Sequence, residues 1–581
     1  MKIMKTKALY LTAALAVMLG FSSCNLDYFP SDEMNSDLLL QDPNGAEYIM
    51  DACYALMKDE VEFLGYSSGN TYCRHYYQLA EFPADNICLS AHTTDPLYEA
   101  TAYVMNDGLK NIGTLWMVGY KIIYMTNQVI ETLEKQGNPE SNQFLGEAYF
   151  TRALMHLQLV TLCAKPYSHG RDNLGIPLRT SLSTEVTVRN SVGEVYDQIA
   201  ADFRKAADLM GKSRGNAGYP SKEAALGLLS RTYLYMEKWD DCIAAANEAL
   251  NGADPASKLD ADFANYFINA KTSKETLFCI GHDLVDDRGQ SSIGSMYLKD
   301  GIGWGEIYPS DPLMYLYERY PNDIRYTAFI WPQYKAGSTR TMVYYPDPAS
   351  ISAESGAVIM SAEVTDDGEG NYSFKTGSNT IEKRKINGSG IADAAGEYYE
   401  YYVNISGKDY MCRISPEMVL RTGFTIPMIF IKKFSYQDGN PMLSSPVVCR
   451  WAEVILNRAE AYAHKGDAAN ALADVNIIRQ RAGIPADFAP GNLHGYVDKQ
   501  MSASGTSLTA VEQIVLDERR MELAWEGFRM HDVYRNKCDM VRHYPGAQPW
   551  KEHRWDTEKH IVYPIPYNEW TVSKIPQNDG Y

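Results

Sequence analysis

The chain has 581 residues, of which 45% are hydrophobic and 22% charged, enough to bury a large core and to exclude disorder along its whole length. With 54 Lys and Arg against 73 Asp and Glu its net charge is −19, which opposes broad attraction to phosphate backbones and makes nucleic acid an unexpected partner. The aromatic excess is mostly tyrosine, 42 residues beside 9 Trp and 17 Phe, and a flat apolar face with a polar tip suits surfaces that bind something polar and ring-shaped.

In chain order, Lys2, Lys5 and Lys7 precede an apolar run from Ala8 to Phe21 and then Ser22-Ser23-Cys24. That order of charge, apolar core and small residues predicts a secretory signal over residues 1–23, too short to span a membrane. A cysteine directly after two small residues predicts a bacterial lipoprotein acylated on Cys24. The alternative is a soluble secreted chain cut near Ser23, since Phe21 stands where such signals more often carry Leu. Residues 24–48 then read as the lipidated N-terminus and tether, polar from Asn25 to Asn35 with Pro30 and three acids. Setting Cys24 aside leaves an odd number of cysteines with no Cys-x-x-Cys, so neither a disulfide framework nor a zinc site is expected.

Residues 49–251 read as helical. Amphipathic helices are expected over Thr114–Glu134, Gln143–Leu162 and Ser191–Met210. In Ser221–Leu250, apolar faces on either side of Glu237-Lys238 make a helical hairpin. Arg450–Ala482 repeats the plan, turning at His464-Lys465-Gly466-Asp467, and the period of roughly 34 residues is that of tetratricopeptide units. About four such units are expected to stack, completed by residues 446–581 with a helix over Leu508–Trp525. Between them, residues 252–445 change to Gly, Asn, Asp, Ser and Tyr with short alternating pieces at Thr341–Tyr345 and Met428–Lys432. The expected fold class is therefore mainly α, tetratricopeptide-like hairpins carrying a large insert of loops and short strands. Long irregular stretches in compact proteins tend to carry function, so the insert is the expected ligand region.

Catalytic patterns are weak. Gly65-Tyr66-Ser67-Ser68-Gly69 fits a nucleophile elbow, but no strand-helix scheme surrounds it, and a turn is expected. His553, His560 and Glu552 match no common metal spacing and read as a surface loop. Glu522 and Glu526 would share a helix face, with Arg519 and Arg520 one turn back, which favours ion pairing over catalysis.

Asp517-Glu518-Arg519-Arg520-Met521-Glu522-Leu523-Ala524-Trp525-Glu526-Gly527-Phe528-Arg529 resembles the SusD/RagB family of outer-membrane nutrient-binding lipoproteins. Supporting stretches are Trp451–Ala461, Asn476–Gly483, Gly146–Leu154 and the ending Pro564–Glu569 with Ile575–Asn578, although the family's terminal Asn-Pro-Gly stands here as Asn578-Asp579-Gly580. The resemblance implies a non-catalytic, surface-facing outer-membrane lipoprotein that captures oligo- or polysaccharide and delivers it to a SusC-like TonB-dependent transporter. A surface glycoside hydrolase and a helical scaffold for other proteins are the alternative classes. A sugar site needs aromatic planes for C–H faces and fixed polar groups for hydroxyls. Two segments offer that mixture: Asp85, Asn86, Tyr98, Tyr103 and Asn106, then Trp304, Tyr308, Trp331 and Tyr334. Trp304, among Gly301, Gly303 and Gly305, is the leading candidate, while Trp116 and Trp451 read as core. No cofactor is expected, and oxygen-donor loops leave structural calcium open. The acidic balance disfavours strongly sulfated or uronate-rich glycans, although Arg171, Arg179 and Arg189 provide local positive charge.

Overall fold

The computed structural model describes residues 39–63, 66–68, 71–93, 95, 97–183, 188–299, 301–385, 392–393, 396–397 and 399–581. The signal, Cys24 and most of the tether lie outside them, as do Gly65 and Gly69. The chain divides into two units, Met1–Tyr48 and Ile49–Tyr581. The first contributes, among the described residues, a turn and the opening of the helix Gly45–Leu56.

The second unit is mainly α. Successive antiparallel helices Lys110–Gln136, Asn142–Cys163, Val192–Leu209, Lys222–Tyr235 and Trp239–Leu250 pack each on the next. The row continues across the insert, because Trp239–Leu250 packs against Trp451–His464, followed by Ala468–Ala482 and Ala510–Glu522. These make four helical pairs, the tetratricopeptide-like plan read from the apolar spacing. Both expected turns occur, at 236–238 and 465–467. Helix starts are set by local chemistry: Ser191 with Glu194, and Thr509 with Glu512, form capping boxes that satisfy the first free N–H groups. Trp116 and Trp451 are buried as expected, and so are the nine cysteines after residue 48, all of them free.

The insert is more ordered than its composition suggests. Thr380–Lys385, Tyr399–Ile405, Lys408–Pro416, Thr341–Pro346, Ile359–Asp366 and Tyr372–Phe374 form, in that order, a six-stranded antiparallel sheet. Its edge strands approach one another, and the Tyr372 ring of one edge lies 5.3 Å from Tyr401 in the strand next to the other, so the sheet curls around Val343, Val364, Val403 and Cys412. Two smaller ribbons tie the insert to the helices: Val447–Arg450 pairs with Thr276–Cys279, and Ile87–Leu89 pairs with Ile307–Pro309. Among the described residues no helix is long and apolar enough to cross a membrane.

Candidate functional site

The segment that carried the family resemblance is interior, and its charges hold the molecule together. Glu522 receives Arg450 at 2.6 Å, Arg325 at 3.2 Å and also Arg481, while Glu526 receives Lys433 at 2.6 Å and Arg450 at 2.8 Å. The helix ends at Glu522, so Glu526 does not share its face, and the partners of the two glutamates come from distant strands and helices rather than from Arg519 and Arg520. Burial alone would raise the Glu522 carboxyl; the surrounding guanidiniums overcome it and hold the group well below the usual carboxylate range.

Arg520 and Arg529 instead reach Asp85. Arg529 Nε donates to Asp85 Oδ1 at 2.6 Å and its Nη2 to Oδ2 at 3.0 Å, while Arg520 Nε donates to Asn86 Oδ1 at 2.8 Å. Burial opposes the Asp85 charge, but Arg520 and Arg529 pull its pKa down to about 2. Asp85 and Asn86, expected at a ligand surface, are thus buried anchors, inaccessible because their polar atoms are occupied by the protein's own arginines and by Ser310 and Trp525. Tyr103 and Tyr308 are likewise interior. Tyr103 bonds Pro83 O and the Tyr534 hydroxyl and stacks on His553 with ring centres 3.6 Å apart. His553 is therefore not on a surface loop: it is buried and paired with Glu558 at 3.0 Å. Tyr308 lies in the Ile307–Pro309 strand of a two-stranded ribbon, its ring edge-on to Phe430.

What these anchors position is the ribbon of Ile87–Leu89 with Ile307–Pro309. Its ladder extends by Ser90 N–H donating to Glu306 O at 3.0 Å, after which both chains leave the same end. Trp304 stands two residues before Glu306 on one of these chains and His92 two residues after Ser90 on the other. Trp304 is 53% exposed although its backbone is pinned, its N–H donating to Ser295 O at 2.6 Å. Gly303 is required for that seat, because a Cβ there would stand 2.3 Å from Ser295 O. On the other chain, exposed His92 sits edge-on to Phe424 at 5.1 Å and to Tyr98 at 6.0 Å. Tyr98 opens the Leu97–Ala102 helix, and exposed Asn106 beyond it is tied to Glu99 at 2.7 Å. Neither His92 nor Phe424 stood out in the sequence, because each is a single ring brought in by a separate loop.

The remaining pair separate. Trp331 is half-buried, with Lys299 and Lys432 ammonium groups 4.8 and 4.7 Å from its ring centre, so its faces are already engaged. Tyr334 is 49% exposed but lies in another concavity. Among the described residues no group of three or more His, Cys, Asp or Glu side chains is arranged to hold a metal ion.

Fold and surface together define a tetratricopeptide-like helical protein that presents exposed aromatic rings from insert loops. The chain belongs to the SusD/RagB family: the SusD family model matches residues 281–581, and a SusD-like model described as starch-binding and associating with the outer membrane matches residues 33–234. It is similar to SusD-like protein P2 of Formosa agariphila, 23% identical over 83% of each chain, and to SusD-like protein P38 of the same organism, 22% identical over 91% of this chain and 92% of that one. A SusD superfamily protein from Bacteroides thetaiotaomicron shares the fold with a TM-score of 0.66 at 21% identity, over 92% of this chain and 99% of the other. So does a SusD-like carbohydrate-binding protein from Bacteroides fragilis, with a TM-score of 0.61 at 16% identity over 92% and 98%.

Proposed function

We propose that this protein captures a glycan at the cell surface without cleaving it and hands it to a SusC-like TonB-dependent transporter in the outer membrane, anchored beside that partner by acyl chains on Cys24. The observation that carries the reading is Trp304, a large apolar ring held in solvent by a rigid backbone seat, at the ribbon end that also leads to His92, Tyr98 and Phe424. Pyranose rings lay their C–H faces on such planes, and Asn106 with the tyrosine hydroxyl supplies hydroxyl partners. Each sugar hydrogen bond replaces one to water, for a net gain of about 1 kcal/mol, so single-site affinity is weak and proximity to the transporter makes capture useful. Binding without hydrolysis is supported by the state of three depressed carboxyls: Asp85 and Glu522 are locked in interior ion pairs with arginines and Glu558 is held by His553, rather than facing one another across an open cleft.

The test is affinity electrophoresis of the purified protein through gels holding a panel of polysaccharides, paired with a reducing-sugar assay. Retardation by at least one polysaccharide, no reducing ends released, and loss of retardation in Trp304→Ala are expected. Release of oligosaccharides by pure protein would refute the reading.

A further inference from the structure

A second concavity of about 340 Å³ lies where the helices Asp311–Glu318 and Ile324–Phe329 face the curled sheet. We propose that this cleft is a second saccharide site, taking a neutral pyranose unit or disaccharide of the captured glycan. The proposal rests on the glycan-capture reading but concerns a place that includes neither Trp304 nor His92.

Its lining is unusual for this protein. Most tyrosines of the 315–345 stretch that serve the core, such as Tyr317, Tyr320, Tyr344 and Tyr345, are buried. Tyr315, Tyr326, Tyr334, Tyr399 and Tyr401 all line the cleft and all keep solvent exposure. Among the described residues the hydroxyls of Tyr315, Tyr326 and Tyr334 make no hydrogen bond. Five partly exposed rings line one concavity, and three of them carry unspent polar tips.

The charges balance. Arg319 pairs with Glu400 at 3.1 Å, and Arg413 pairs with Glu318 at 2.8 Å and, outside the lining, with Asp311 at 3.1 Å. The cleft lining therefore holds two guanidiniums against two carboxylates. A sugar hydroxyl can donate to a carboxylate and accept from a guanidinium without breaking either pair. A uronate would bring a charge that has to compete with the resident glutamates, whose separation from their arginines is costly when partly buried. One donor beside the lining is unsatisfied, since Arg319 Nε is buried with no acceptor among the described residues. The volume is at the small end for ligand sites, matching one or two sugar units rather than a longer segment.

The cleft is linked to the His92 ring by one hairpin. Residues 417–428 turn back on themselves through the Leu420–Pro427 bridge; at the base Met418 pairs with Tyr334, and at the tip Phe424 meets His92. At strand rise the two ends are roughly 15–20 Å apart. One extended glycan reaching both would gain from the second contact as an intramolecular event.

The test uses the full protein and saturation-transfer NMR with maltose, cellobiose, mannobiose and, as charged control, digalacturonate. In Trp304→Ala, transfer to at least one neutral disaccharide persists; adding Tyr334→Ala cuts it by at least about fivefold, and Tyr334→Phe in its place restores it. Circular dichroism should match the parent throughout, because Tyr334 is half-exposed. Loss of all transfer in Trp304→Ala alone, survival of the signal in the double variant, or equal transfer to digalacturonate would each overturn the proposal. If the unaltered protein transfers to no neutral disaccharide, the second site falls, while polysaccharide retardation in gels decides separately whether capture stands.

Discussion

Asp85→Asn separates two roles for one residue, ligand contact or internal anchor. In the parent, the carboxyl titrates near 2 in place of an ordinary 3.8, a difference worth on the order of 2 kcal/mol of folding free energy at neutral pH. Because the folded pKa is depressed, this stability is present above about 3.8 and is lost as the pH falls through about 2. The two arginines share it unequally. Arg529 grips both carboxylate oxygens, at 2.6 and 3.0 Å, whereas Arg520 reaches one at 3.3 Å, so Arg529 is the stronger partner. The amide keeps the shape and removes the charge, leaving two buried guanidiniums short of their counterion, a defect that costs about 3–5 kcal/mol. Urea unfolding with a comparison of m-values should show a loss in that range, and the acid side of the parent's stability profile should flatten in the variant. Glycan retardation should weaken only through loosening of the Ile87–Leu89 strand and the residues that follow it. A variant within about 1 kcal/mol of the parent that nevertheless loses glycan binding would refute the anchoring role and return Asp85 to the ligand surface.

His464 lies between Glu512 at 2.8 Å and Glu460 at 3.6 Å and stacks on Trp239; burial would lower its pKa, but the two glutamates raise it to about 9. The folded pKa exceeds the ordinary 6.5, so up to about 3 kcal/mol of stability is present below pH 6.5 and disappears as pH rises through 9. Arg519 and Arg535, which also hold Glu460, remain charged across that window. Melting temperature should therefore fall more between pH 6.5 and 9 in the parent than in His464→Gln, and parallel curves would refute the linkage. Gly303→Ala should abolish glycan retardation like Trp304→Ala while costing stability as well, because its Cβ meets Ser295 O and Leu298 O; a fully stable, fully binding variant would remove the backbone seat from the account. Glu522→Gln should destabilise by more than about 3 kcal/mol, since Arg325, Arg450 and Arg481 converge on it, and a change below 1 kcal/mol in chemical denaturation would show the network to be redundant.

The helical scaffold was legible because its signal is local. In 222–250 and 451–482 the Ala and Leu positions recur at helical spacing, and the turns carry the polar residues that end one helix and begin the next. Trp304 was legible for a similar reason: three neighbouring glycines mark a backbone that cannot bury a ring by wrapping it. The curled sheet was mostly hidden, since strands such as Tyr399–Ile405 and Lys408–Pro416 mix Tyr, Lys, Asp and Asn on a partly solvated surface and only Thr341–Pro346 has a strongly apolar run. Asp85 and Asn86 misled because the partners that bury them stand more than 430 residues further along the chain. Tyr308 misled because the strand it occupies is covered on both faces, which no alternation of polar and apolar residues could announce.

The interior position of the Asp517–Arg529 segment explains why a chain can be assigned to its family without its ligand being readable. Every charged side chain from Glu518 to Arg529 has an ion-pair partner inside the protein, and that mutual satisfaction constrains residue type strongly at each position. Recognition of the family follows from this constraint, which concerns stability. The ligand surface is subject to no such closure. Trp304, His92, Tyr98 and Phe424 come from three separate loops, touch few of one another's atoms and are free to change singly without leaving a buried charge unpaired. The anchors fix where the loops leave the fold, and the loops decide which sugar faces they meet. Specificity in this architecture should therefore be transferable by exchanging 90–98, 301–306 and 420–426 together while retaining Asp85, Asn86 and the arginines that hold them. A chimera that folds but keeps the parent's polysaccharide profile would show that selection resides elsewhere, with the tyrosine-lined cleft the first place to look.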